Sequence, residues 1–73
     1  MADNAVWLNF IRHLRSEQEE LRRYLAPFVA GTMHVGRGGI DTTEQEIAVV
    51  RREIASLQAT IERVVAEQGL EDA

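Results

Sequence analysis

The residues best suited to chemistry lie in a glycine-rich segment in the middle of the chain. Residues 31–38 repeat the glycine spacing of a phosphate-binding P-loop, but Arg37 and Gly38 stand where that motif needs a Lys and a Ser or Thr. Nucleotide binding is therefore not expected. His34 and Arg37 on a flexible loop would still suit a phosphate or a partner's carboxylate, since loops often carry function. The alternative is a solvated connector with an incidental histidine.

Two other patterns match catalytic or metal sites only in part. His13 precedes Glu17 by one helical turn, a spacing that can orient a general base. Catalysis also needs a nucleophile or second acid in a shared pocket, so a surface pair is the favoured interpretation. Carboxylate-bridged metal sites in helical bundles use Glu-x-x-His, and no Glu here is followed three residues later by His. We expect a non-enzymatic protein with no metal site and no cofactor.

The basic cluster that would suit nucleic acid lies in the first third of the chain and comprises Arg12, Arg15, Arg22 and Arg23. The interleaved Glu17, Glu19 and Glu20 cancel much of its field. A net charge of −4 also argues against a dedicated nucleic-acid binder. All eight basic residues are Arg, which suits bidentate salt bridges at an interface, although a GC-rich coding bias explains it equally well.

Length and composition predict one small domain that needs help to be stable. A chain of 73 residues has a marginal core, and small domains usually add disulfides, a metal or oligomerisation. Cysteine is absent, so oligomerisation or a protein partner is the expected source of stability. The absence of Cys fits a reducing compartment. The first residues lack the pattern of a signal peptide, and no apolar run is long enough to span a membrane. We therefore expect a soluble, cytoplasmic protein.

Heptad spacing of apolar residues predicts two helices. The stripe of the second helix consists of Ile40, Ile47, Val50, Ile54, Leu57, Ile61 and Val64. The stripe of the first helix consists of Trp7, Ile11, Leu14, Gln18, Leu21, Leu25 and Phe28. This spacing is typical of helices that pack as in a coiled coil. The predicted fold is all-α, a hairpin of two long antiparallel helices that form the packing and oligomer interface.

Capping and breaking residues set the predicted boundaries. The first helix covers residues 4–26, because Pro27 disfavours helix at the residue before it. A glycine-rich connector covers residues 27–41, either as a plain loop, which is the default, or as a small β-ribbon that turns at Arg37-Gly38. The second helix covers residues 42–68, with capping boxes at its start and Gly69 as its left-handed C-cap. Residues 69–73 are expected to be frayed.

Two helices leave apolar surface uncovered, so we expect a homo-oligomer, with a dimer as the first choice. Two hairpins back to back would give a four-helix bundle with two-fold symmetry. Gln18 at a core position either pairs with its counterpart in that assembly or extends to solvent. The predicted function is a self-associating interaction module that acts as an adaptor, regulator or assembly component. The alternative is a nucleic-acid-binding regulator that uses the Arg face of the first helix.

Overall fold

The chain forms a helical hairpin, as the heptad spacing predicts. A computed structural model describes residues 4–70. Helix α1 (Asn4–Ala30) and helix α2 (Thr43–Gln68) run antiparallel, and strands β1 (Gly36–Arg37) and β2 (Ile40–Asp41) form an antiparallel ribbon between them. The result is a rod of 57 × 17 × 16 Å. Within the described residues, neither helix is long and apolar enough to cross a membrane.

The predicted end of helix α1 before Pro27 is wrong. The helix continues through Pro27 to Ala30. Proline removes one backbone hydrogen bond from a helix interior. Packing of the last turn outweighs this loss, because Phe28 is buried and its ring lies 5.1 Å from the ring of Tyr24. The carbonyl oxygen of Pro27 accepts hydrogen bonds from the next segment of chain, so the end of the helix is also satisfied.

The connector contains the β-ribbon rather than the plain loop that was the default prediction. Gly36 pairs with Asp41 and Arg37 with Ile40. The turn falls at Gly38 and Gly39, one residue later than predicted, where φ is 60° and 83°. A two-residue hairpin turn with positive φ at both positions favours glycine. Ile40, which was predicted to belong to the α2 stripe, lies in this ribbon and is 67% exposed.

The two ends of α2 use the predicted residues in partly different ways. At the start, Thr42 is the N-cap but its side chain makes no capping bond; the Asp41 carboxylate accepts the N–H of Thr43 at 2.9 Å instead. At the end, Gly69 is the left-handed C-cap, as predicted. Leu70, expected to fray, is buried, and its N–H donates to the carbonyl of Val65. The N-cap of the first helix is expected at Asp3 or Asn4, and of these Asp3 lies outside the described residues, as do the tail residues 71–73.

The core is a narrow seam between the helices. At the open end, a buried cluster is formed by Ile11, Leu14, Ile61, Val64 and Leu70. Towards the ribbon, the buried residues are Leu25, Phe28, Thr43 and Val50. The other predicted stripe residues are only half-buried: Trp7, Leu21, Ile47, Ile54 and Leu57. One partner helix covers only one side of each stripe, so the flanks of the hairpin stay open.

Candidate interaction surfaces

Gln18 is the one polar side chain of the α1 stripe, and it is satisfied within the chain. It is 4% exposed, and its Nε2 donates to the carbonyl oxygen of Ile54 at 3.1 Å and to Oε1 of Gln58 at 3.2 Å. The Nε2 of Gln58 in turn donates to Glu62 at 3.0 Å. Gln18 therefore neither extends to solvent nor needs a second copy. Buried polar groups need partners, so these bonds favour one register of α1 against α2.

A polar cluster joins the ribbon to the start of α2. The buried hydroxyl of Thr43 accepts the N–H of Val35 at 3.0 Å and donates to Oδ1 of Asp41 at 2.5 Å. These hydrogen bonds from Thr43, first the side chain and then the backbone, lower the pKa of Asp41, and the charge of His34 adds to the effect. The cluster fixes where the connector meets the helix.

The structure does not bring His34 and Arg37 into one site. The Nδ1 atom of His34 lies 3.5 Å from Oγ1 of Thr43 and 3.7 Å from Oδ2 of Asp41. Both contacts use the same ring nitrogen, so the ring cannot carry a proton from the hydroxyl to the carboxylate. A shallow depression includes His34 and Asp41, while the exposed Arg37 does not line it. Ligand binding by the pair stays a prediction without geometric support.

The first-helix pairs are ordinary surface contacts. His13 and Glu17 lie 3.8 Å apart with both side chains exposed. Exposed pairs of this kind contribute little to stability. Among residues 4–70, no group of three or more His, Cys, Asp or Glu is placed to hold a metal ion.

The predicted nucleic-acid face is interrupted by acidic and polar partners. Arg22 and Arg23 both reach Glu19, at 3.9 Å and 4.0 Å. Arg12 donates to the side-chain oxygen of Asn9 at 2.8 Å. Arg15, the fourth member, is half-buried. Since Glu19 lies within reach of two of the four arginines, this face does not present the continuous positive stripe that binds a phosphate backbone.

One flank of the hairpin carries an apolar groove with basic edges, which we call the basic groove. Its volume is about 560 Å³. Arg22 of α1 and Arg51 of α2 stand at its edges. Its floor is formed by Leu25, Ala26, Val29, Ala30 and Ile54. Val29 is 54% exposed, and the alanines allow another helix to approach closely.

The other flank carries an acidic groove. Its volume is about 400 Å³. Its edges are formed by Glu17, Glu20, Glu46 and Glu53. Its floor is apolar and includes Leu21, Val50 and Leu57. The hydroxyl of Tyr24 donates to Glu46 at 2.6 Å, and this hydrogen bond, with some desolvation and the charge of Glu46, raises the pKa of Tyr24.

These two grooves were not predicted from the sequence, although the heptad register contains the signal. In that register, the positions directly after the d residues include Arg22 and Arg51, and the positions directly before the a residues include Glu17, Glu46 and Glu53. These are the e and g positions, whose charges set partner choice in coiled coils. Reading both helices together would have shown one basic and one acidic flank.

No protein-family model, curated protein or solved structure matches this chain significantly. The fold and its surfaces describe a short helical hairpin. Its two helices pack along one seam, and its two exposed flanks carry opposite charges.

Proposed function

We propose that this chain is a non-enzymatic, self-associating helical module that acts as an adaptor, a regulator or a component of an assembly. The observation that carries the proposal is the incomplete burial of the heptad stripes. Leu21, Ile47, Ile54 and Leu57 are only half-buried within one hairpin. Side chains with heptad spacing along both helices are typical of surfaces that pack against further helices.

The size of the molecule supports association. A standard protein interface buries about 800 Å² on each partner, which is a modest part of the 5480 Å² that the hairpin exposes. Burying an aliphatic side chain fully contributes roughly 1.5–3 kcal/mol, so completing the burial of several half-covered residues offsets part of the entropy lost on association. A dimer is the smallest assembly that covers one flank of each copy.

The chemistry of the polar residues supports a binding role over a catalytic one. The side chains of the His13–Glu17 and His34–Asp41 pairs are exposed, and the two pairs lie on separate elements. The hydroxyl of Thr43, which lies 3.5 Å from His34, accepts the N–H of Val35 and donates to Asp41. The absence of cysteine from the sequence supports a role in a reducing compartment such as the cytoplasm.

Sedimentation velocity over a series of protein concentrations tests the proposal, with one substitution in a flank and one matched control. Val29→Ser changes an exposed residue of the basic groove, while Val6→Ser changes an exposed residue of the same helix that lines neither groove. We expect the wild-type chain to sediment faster as its concentration rises, Val29→Ser to weaken this dependence and Val6→Ser to leave it unchanged. A wild-type chain that sediments as a monomer at every concentration would refute self-association.

A further inference from the structure

We propose that copies of this chain associate side by side through two different surfaces. The basic groove of one copy packs on the acidic groove of the next. This inference rests on the proposed self-association and specifies its interface. The occupant of each groove is therefore a second copy of the same hairpin. Three observations carry the inference. Some charged side chains of the grooves have no partner within the described part of the chain, the two grooves lie at similar positions along the rod, and pairing of two like grooves would bring like charges together.

Three of the six charged residues that line the two grooves have no partner within the described part of the chain. Arg51 makes no hydrogen bond or ion pair with any residue of the described range, and Arg22 reaches only Glu19, at 3.9 Å. On the acidic side, Glu20 and Glu53 likewise have no partner among the described residues. Opposite charges of this kind, at the edge of an apolar contact, steer association and select the partner.

The two grooves lie at nearly the same height along the hairpin. Arg22 and Glu20 are two residues apart on α1, and Arg51 and Glu53 are two residues apart on α2. At about 1.5 Å of rise per residue, each basic group lies roughly 3 Å along the axis from its acidic counterpart on the opposite flank. A second copy can thus lie alongside the first, in the same direction, with almost no shift along the rod.

Apolar surfaces also meet in this arrangement. The half-buried Ile54 of the basic groove would pack against the half-buried Leu57 of the acidic groove, and Ala26 would pack against Tyr24. The small side chains at Ala26 and Ala30 keep the helices close. The contact therefore combines an apolar centre with a charged rim, which is the usual organisation of a specific interface.

Two-fold pairing through a single groove brings like charges together. The basic groove is lined by two arginines and, among the described residues, by no carboxylate. The acidic groove is lined by four glutamates and, within the same range, by no Arg. Like charges across an interface disfavour the pairing. Contacts between unlike grooves avoid this, and they leave one free groove at each end, so copies keep adding unless a ring closes.

Charge reversal tests the interface. The first variant, R22E/R51E, replaces both arginines of the basic groove with glutamate, and the second, E20R/E53R, replaces two of the four glutamates of the acidic groove with arginine. All four positions are exposed, so the fold is expected to survive, and far-ultraviolet circular dichroism checks this. The control variant R52E/R63E reverses the same number of charges at exposed positions that line neither groove. Sedimentation equilibrium gives the mass of each variant and of an equimolar mixture of the first two.

We expect the wild-type chain and R52E/R63E to associate, each groove variant alone to associate ~10-fold more weakly or worse, and the mixture to recover association. Recovery is the decisive result, because only a contact between unlike grooves is restored by mixing the two reversals. If R22E/R51E loses association while E20R/E53R keeps it, the proposal is overturned in favour of pairing between basic grooves. Stronger association of E20R/E53R by itself would overturn it in favour of pairing between acidic grooves.

Two further outcomes separate this inference from the proposed function. If the wild-type chain associates and neither reversal matters, self-association stands and the groove interface is refuted. If the wild-type chain is monomeric, the proposed function fails, and the interface fails with it.

Discussion

Replacing Ile61 with Ala should remove a large part of the stability of the hairpin. Ile61 is 1% exposed and belongs to the buried cluster with Ile11, Leu14 and Val64. The substitution deletes three carbon atoms. At roughly 0.8 kcal/mol for each buried CH₂, the transfer term alone is about 2.4 kcal/mol. The cavity left behind raises the expected loss to about 2–5 kcal/mol, the range found for large-to-small changes in cores.

The effect should be large against the whole stability of so small a protein. At roughly 0.05–0.15 kcal/mol per residue, a chain of 73 residues has only a few kcal/mol to about 11 kcal/mol of unfolding free energy. For a domain of this size, 1 kcal/mol shifts the melting temperature by about 4–8 °C. We therefore expect Ile61→Ala to melt at least about 8 °C below the wild-type chain, or to be unfolded at room temperature.

Urea denaturation followed by circular dichroism measures this loss. All samples need the same protein concentration, because association adds to apparent stability. Val49→Ala is the matched control, since Val49 lies on the same helix and is 49% exposed; it should cost less than about 0.5 kcal/mol. The loss of unfolding free energy in Leu57→Ala should lie between those of Ile61→Ala and Val49→Ala, because Leu57 is half-buried. An Ile61→Ala loss no greater than that of the control would show that the seam is misplaced.

Three further predictions concern the connector and the ring of Tyr24. The pKa of Asp41 is lower in the folded chain than its ordinary value of 3.8; its contribution to stability is therefore present above that pH and lost as the pH falls through the folded-state pKa. Asp41→Ala should therefore lower the free energy of unfolding at neutral pH and lower it much less at about pH 2. An equal loss at both pH values in denaturation experiments would contradict the lowered pKa of Asp41. Gly38→Ala places a side chain at φ 60° and should cost roughly 1 kcal/mol in thermal melts, whereas an unchanged melting temperature would argue against the turn. Tyr24 is the sole tyrosine, so phenolate absorbance reports it alone; Glu46→Gln should make it ionise at a lower pH, because the bond to the carboxylate raises its pKa, and an unshifted titration would exclude that bond.

The helical hairpin was predictable because its signal is repeated over many residues. Each helix carries its apolar residues at heptad spacing, and residues such as Ile11, Leu14, Ile61 and Val64 are buried as that spacing requires. Packing of an amphipathic face dominates the choice of structure, so a pattern of this length outweighs individual propensities.

Predictions that rested on a single local signal failed where tertiary contacts opposed them. Pro27 did not end α1, because the buried Phe28 keeps the last turn in place. Leu70 did not fray, because it packs on the open end of the core. Ile40 fits the heptad count but lies in the ribbon, where the paired glycine turn sets the local conformation. A single residue has no repeated pattern from which its tertiary surroundings can be deduced.

The candidate surfaces were predictable only in part. Gln18 was recognised as a core polar residue, but its partners on α2 depend on the register of the hairpin, which periodicity alone does not define. The grooves combine residues from both helices, such as Arg22 with Arg51, that are far apart in the sequence. Their signs become visible only when the two helices are placed side by side.

The molar mass of the unmodified chain, measured by light scattering on a sizing column over a wide range of loading concentrations, tests self-association most directly. We predict a mass above the 8.2 kDa of one chain, rising with concentration. A mass of 8.2 kDa throughout that range, with full helical content, would contradict it.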